Sequence, residues 1–407
     1  MTTTAQPANR TARRSHFDGL VLTPESPGYD AARSVWNAMI DRRPALIVQC
    51  TSVADVVTAV HTARECELEI GVRCGGHNIA GLAVPHGGLM IDLTGLDRVT
   101  VDPVTRRARV QGGAMLGAVD RATQRFGLAT TAGNVSHTGV GGLTLGGGMG
   151  WLARQHGLAC DNVVSYTVVT ADGDIVRASA DEHPDLFWAL RGGGGNFGIV
   201  VEFEFRLHSV GTQSLVAELT FPLDGAAHAL RGWRDLAEAA PRQATLTAEI
   251  SGDTVVLGYV WVGDPQAGRS LLPALRSVGA PNSEAVRELS YLTLQTRDDS
   301  FEDHSYRRYW KGHYLTALSD DAVAALLDRD PADATLPGVS LQAYGGAIAD
   351  VDGDATAFSH RGARFEYVAS ARWTEPDEDS VRIGAARHTA AKLDPFAAGA
   401  YVNALSD

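Results

Sequence analysis

At 407 residues, with 44% hydrophobic and 20% charged side chains, the chain has material for two or three domains with real cores. A formal net charge of -13 repels a phosphate backbone, so nucleic-acid binding has no electrostatic basis. No apolar run approaches the roughly 18 residues of a membrane span, and residues 1–7 lack the apolar segment of a secretory signal; a cytoplasmic enzyme with no membrane contact is expected.

Residues 1–39 read as a polar leader, with the basic run Arg10 to Arg14 as a solvated tail. Residues 44–49 predict a short buried strand, and Ser52 caps a predicted helix over 53–66. Residues 69–73 predict a second strand. This α/β unit delivers the chain into Gly75-Gly76-His77, and loops after strands are where ligands are usually held. Strand patterns continue at 89–93 and 108–112, and 115–126 has helical periodicity. The stretch 139–150 is so dense in glycine that neither a helix nor a strand interior is expected, only close backbone approach.

A helical turn is predicted at 151–156, a strand at 163–170, a hairpin turn at Asp172-Gly173, a helix at 183–191 and a strand at 199–207. Beyond residue 211, strand-like segments at 245–250 and 255–262 alternate with helical ones at 268–278 and 320–327. That pattern predicts an antiparallel sheet with helices on one face, and a domain boundary near residue 210.

Cys50, Cys66, Cys74 and Cys160 form no CxxC pair and have no histidines at zinc spacing, so neither a metal site nor a disulfide framework is expected. Gly193-x-Gly195-x-x-Gly198 matches the dinucleotide fingerprint formally. That motif needs a strand before it and a helix after it to aim a helix N-terminus at the pyrophosphate, and here the order is reversed. Glycine loops can still bind anions through successive backbone N–H groups, and Gly75-Gly76 and the 141–150 run are the two candidates; turns and tight packing are the plain alternative.

Three segments taken together carry a resemblance: Arg73-Cys-Gly-Gly-His-Asn78, Gly141-Gly-Leu-Thr-Leu-Gly-Gly-Gly-Met-Gly150 and Gly157-Leu-Ala-Cys-Asp-Asn-Val163. From about residue 40 onward the chain resembles the berberine-bridge-enzyme-like flavoproteins of the vanillyl-alcohol-oxidase superfamily. The resemblance implies an α+β fold: a two-part PCMH-type FAD-binding domain over 40–210, then a substrate domain over 211–385, with 386–407 beginning a return to the first. It implies FAD as cofactor, bonded covalently through His77 and Cys160. Imidazole nitrogen and thiolate sulfur are suitable nucleophiles for such bonds. Arg73, Gly75, Gly76, Asn78, Gly141, Gly142, Thr144, Gly146, Gly198 and Val200 are then expected along the cofactor, and Val163 beside the flavin carbon that meets oxygen.

On the substrate side the resemblance points to Glu366, and to Tyr401 in Tyr401-Val-Asn403, as catalytic residues, because alcohol oxidation needs a base with a tuned pKa. Gln342 and Tyr344 are further pocket candidates. The second tyrosine of the family's Tyr-x-Asn-Tyr motif is Ala404 here, and relatives continue beyond the point where this sequence stops, which implies a missing wall of the flavin site. The expected activity is an oxidase taking hydride from an alcohol, sugar or natural-product molecule and passing electrons to molecular oxygen. A flavin dehydrogenase with another acceptor and a catalytically impaired binding protein are the alternatives.

Overall fold

In the computed structural model, residues 17–299 and 305–407 are described; the Arg10 to Arg14 run lies outside them. The first part of the chain runs β1 Leu20–Leu22, α1 Tyr29–Arg33, β2 Leu46–Gln49, α2 Val53–Glu65, β3 Ile70–Arg73 and β4 Leu89–Asp92. These strands make a sheet in the order β1-β2-β4-β3, parallel except for β1. The α2 start is fixed as the sequence indicates. The Ser52 hydroxyl accepts from the Asp55 N–H, and the Asp55 carboxylate accepts from the Ser52 N–H in return.

Residues 17–39 correct the leader reading. β1 adds to the edge of the sheet, and Leu22, Tyr29, Ala32 and Val35 are buried with Ile47, Val84 and Met90 in a core of their own. The Tyr29 hydroxyl donates to the Pro44 carbonyl at 2.6 Å, tying this segment down.

The second layer contains β5 Val99–Asp102, β6 Arg107–Gln111, α3 Leu116–Gln124, β7 Leu128–Ala129, α4 Val140–Leu145, α5 Ala153–His156, β8 Val163–Val169, β9 Ile175–Ser179, α6 Pro184–Ala189, β10 Ile199–Arg206 and β11 His208–Ser209. Its sheet is antiparallel in the order β5-β6-β10-β8-β9, and β11 pairs with β7. The short helix α4 corrects the expectation that the glycine run holds no helix. Tertiary contacts override propensity there: the Val140 N–H donates to the Ala114 carbonyl, and Val140 and Leu145 are buried in this sheet's core.

The rest comprises β12 Gln213–Pro222, α7 Ala226–Ala239, β13 Ala244–Ser251, β14 Thr254–Val262, α8 Pro265–Arg269, α9 Leu272–Arg276, β15 Ser283–Ser290, α10 Tyr291–Gln295, β16 Arg307–Leu315, α11 Asp320–Leu327, β17 Gly338–Ala343, β18 Phe365–Trp373, α12 Asp379–Ala391 and β19 Ala397–Gly399. The helix expected over 268–278 is two short ones, with Pro273 in the first turn of the second. The strands form one antiparallel sheet, β15-β12-β14-β13-β17-β18-β16-β19.

One face of this sheet packs on α7, α11 and α12 through Trp233, Leu230, Val323, Phe365 and Tyr367. The opposite face packs on residues 149–160, where Trp151 and Leu152 meet Val216, Val260 and Val262, and Met149, Leu158 and Cys160 meet Tyr314 and Tyr344. Strand alternation therefore sends every second residue of β13, β17, β18 and β16 toward the glycine run. Among the described residues no helix is long and apolar enough to cross a membrane.

Candidate active site

β3 ends at Arg73, whose guanidinium is fixed by the buried Asp92 carboxylate at 2.5 Å and by the Ala32 carbonyl at 2.7 Å. Arg73 thus anchors the loop that follows it. The two glycine loops then meet backbone to backbone. A Cβ on Gly75 would lie 2.4 Å from the Gly139 nitrogen, and one on Gly139 would lie 2.3 Å from the Gly75 nitrogen, so only glycine fits at either position.

Past this contact stands His77. Its Nε2 is 2.7 Å from His137 Nδ1, and its Nδ1 is 3.5 Å from the Thr138 hydroxyl. Trp36 stacks on the imidazole with centroids 4.8 Å apart and planes 15° from parallel. The Trp36 backbone N–H donates to the Gly76 carbonyl, and the Arg308 guanidinium lies 3.9 Å from the centre of the same indole. Trp310 meets Trp36 edge-on and packs in turn against a cluster formed by Met149, Cys160, Tyr314, Tyr344, Phe358 and Tyr401.

In that cluster Tyr314 and Glu366 face each other across β16 and β18, Glu366 and Gln342 across β18 and β17, and Gln342 and Thr247 across β17 and β13. Four strands thus present one in-register polar row. The Tyr344 hydroxyl donates to Glu366 Oε2 at 3.1 Å and is 3.3 Å from the Tyr314 hydroxyl. Burial pushes the Glu366 carboxyl up to about 7, with the Tyr344 bond opposing. The site therefore holds a carboxyl that exchanges its proton near neutrality.

Tyr401 and Asn403 reach the glycine run. The Gly148 N–H donates to the Tyr401 hydroxyl at 3.1 Å, while Asn403 Nδ2 donates to the same oxygen at 2.9 Å and to the Leu143 carbonyl at 3.2 Å. Asn403 lies within 2.5 Å of a Cβ built on Gly146. Burial, reinforced by Glu366, raises the Tyr401 phenol above its ordinary value, which keeps it protonated.

The expected residues therefore divide. His77, Gly75 and Gly76 share one loop, and Gly141, Gly142, Thr144 and Gly146 lie in the run beside it, while Glu366, Tyr401, Tyr344 and Cys160 share the aromatic cluster. Asn78 turns away to accept the Leu82 N–H. Val163 and Val200 are buried in the core of the five-stranded sheet, which also takes in Val140 and Leu145 of the glycine run, and Gly198 packs against Val168 of the same sheet.

Cys160 is fully buried in a 3₁₀ turn. Burial and the adjacent Asp161 carboxylate hold its thiol well above the ordinary value, and Asp161 itself is clamped by Arg361 through two 2.7 Å bonds. Sequence reasoning missed Trp36, His137 and Tyr314. His137 and Thr138 directly precede the glycine run, so its leading edge was the available signal; Trp36 had none, lying far from His77 in the chain.

The chemistry of the donors fits a flat heterocycle with mixed hydrogen-bonding edges, such as a flavin. Gln342 Nε2 and Asn134 Oδ1 are buried without partners among the described residues, although Asn134 Nδ2 donates to Gln342 Oε1 at 3.1 Å. A Cβ on Gly142 would meet nothing within 4 Å, so the second loop has an open side.

Comparison with known proteins agrees with this fit. Residues 44–179 match the model of an FAD binding domain. An FAD-linked oxidoreductase of Dictyostelium discoideum is 30% identical over 395 residues, 95% of this chain and 86% of the relative. Glucooligosaccharide oxidase of Sarocladium strictum is 32% identical over 362 residues, 83% of this chain and 72% of that protein. Among solved structures, 6-hydroxy-D-nicotine oxidase of Arthrobacter nicotinovorans superposes with a TM-score of 0.83 at 28% identity, covering 96% of this chain and 90% of that one. BBE-like 1 of Physcomitrella patens gives 0.87 at 23% identity, covering 95% and 89%, and speaks to the fold. The chain belongs to the berberine-bridge-enzyme-like family of FAD-linked oxidoreductases.

Proposed function

We propose that this enzyme is an oxidase that removes hydride from an alcohol carbon of a sugar or natural-product molecule, with FAD bonded to the protein through His77 and oxygen as the final electron acceptor. FAD, when bound, supplies the two-electron acceptor. The observation that carries the reading is the buried Glu366 carboxyl, poised near neutrality by burial and held by Tyr344, in the polar row that faces the glycine run.

Glu366 takes the hydroxyl proton of the bound molecule. Tyr344 orients the carboxylate through its 3.1 Å bond, and the Tyr401 phenol, kept protonated, offers a hydrogen bond rather than a base. The aromatic cluster excludes water around both. Final transfer to oxygen rests on the named oxidases among the relatives.

For attachment, the geometry favours one bond over two. If His137 Nδ1 accepted from His77 Nε2–H across their 2.7 Å contact, the lone pair of His77 would sit on Nδ1, the atom that would hold the flavin. Cys160 has the opposite character: no exposure and a thiol that resists ionisation. Intact mass measurement tests this. Wild type and Cys160→Ser should carry one added FAD mass, and His77→Ala none. An adduct retained in His77→Ala, or lost in Cys160→Ser, would reverse the assignment.

A further inference from the structure

Beside the cluster around Glu366, and sharing Tyr344 with it, there is a cavity of about 170 Å3 between the end of α7 and the residues linking β17 to β18. At about 30 Å3 per water it holds a handful of waters, or one small oxyanion with a few. Its lining includes Arg154, Arg242 and Arg364, with Glu238 also present.

Arg154 is 5% exposed. Its Nη2 donates to the Ala240 carbonyl at 3.2 Å and its Nη1 to the Tyr344 carbonyl, but its Nε has no partner among the described residues. Burial and then the repulsion of Arg364 and Arg242 lower its proton affinity, so the three cations share one local field. A Cβ built on Gly345 would lie 3.4 Å from Arg364 Nη1 and 3.9 Å from Arg154 Nη1, which puts both guanidiniums against the same glycine.

Among the described residues Arg242 has its own counter-ion in Asp350, whereas neither Arg154 nor Arg364 makes an ion pair. Glu238, exposed on the rim, and Asp350 offset two of the three positive charges, which leaves the buried one uncompensated. A cation buried without an anion is costly, and carbonyl dipoles repay only part of that cost. A planar guanidinium with unused N–H capacity is suited to oxyanions.

We propose that this cavity is a binding site for a small phosphate-class oxyanion, with Arg154 as its floor and the exposed Arg242 and Arg364 at its mouth. The source is free phosphate or a phosphate monoester. The site shares Tyr344 with the cluster around Glu366, but the charge argument does not use the catalytic assignment.

The test is thermal unfolding of the purified flavoprotein near neutral pH, in inorganic phosphate against sodium chloride of matched ionic strength, with glycerol phosphate as a third arm. Phosphate should raise Tm by a few degrees, as expected for a ligand held well above its Kd, and chloride should not. A rise with glycerol phosphate as well assigns the site to monoesters, and a rise with phosphate alone assigns it to the free ion.

Arg364→Gln alters an exposed side chain and should abolish most of the phosphate response with little change in Tm in chloride. Arg154→Met should abolish it entirely; if that variant does not fold, Arg364→Gln and Arg242→Gln still decide the matter. Equal responses to phosphate and chloride, or an undiminished response in Arg364→Gln, would overturn the proposal.

Discussion

Replacing Glu366 by glutamine probes the site without requiring that its substrate be known. The amide would keep an oxygen to accept from Tyr344 while removing the ionisable proton. In the fold the carboxyl titrates near 7 rather than at its ordinary 4.5 because it is buried. At about 1.4 kcal/mol per tenfold in proton affinity, ionising it in place costs about 3 kcal/mol more than in the unfolded chain.

The sign follows from proton binding. Between pH 4.5 and 7 the folded state holds the proton and the unfolded state has released it, so wild-type stability falls as pH rises through this window. Glu366→Gln lacks that fall. The variant should therefore gain about 3 kcal/mol relative to wild type between pH 4.5 and pH values above 7, read by urea unfolding of the flavoprotein across the range. A stability difference that stays flat over this window would mean the carboxylate ionises normally in the fold, and the argument for Glu366 as a base would collapse. With an oligosaccharide or hydroxylated alkaloid that reduces the flavin, the same variant should slow anaerobic reduction by roughly 10²- to 10⁴-fold and lose the inflection near pH 7.

Two further outcomes are expected from groups around the site. Asp161→Asn leaves the Arg361 guanidinium buried without its counter-ion, and should cost roughly 3–5 kcal/mol by urea denaturation; a loss below about 1 kcal/mol would show that the pair is solvated. His156 and His208 stack at 3.8 Å, and burial lowers both to about 4. Their contribution is complete above pH 6.5 and is lost as pH falls toward 4, because the unfolded state binds their protons first. His156→Phe should flatten the fall of Tm over that interval, and an unchanged acid limb would place the sensitivity elsewhere.

Much of the first half was legible because its signals are local. The Ser52 cap, the strand ending at Arg73 and the reversed order around Gly193 to Gly198 each need only a few neighbouring residues. What stayed hidden depends on partners remote in the chain. Residues 17–39 look polar in sequence, yet four of their apolar side chains find a core against β2 and β4. α4 forms in a glycine run because residue 114 and the sheet core hold it. Trp36 and His137 converge on His77 from either side of it in the sequence, and apart from the glycine run that follows His137 neither periodicity nor a motif announces that meeting. Glu366 was indicated by resemblance; its tuned proton affinity came only with the burial that the eight-stranded sheet provides.

The row Thr247, Gln342, Glu366 and Tyr314 has a consequence for how such enzymes diversify. Each member sits directly opposite its neighbour on the next strand, with its backbone committed to the ladder and its side chain to the site. The alternate residues, including Leu341, Phe365 and Leu315, hold the helices on the other face. Selection can therefore rewrite the row one tooth at a time, as on a key whose shaft is left uncut, changing what the site accepts while the fold is secured by residues one position away.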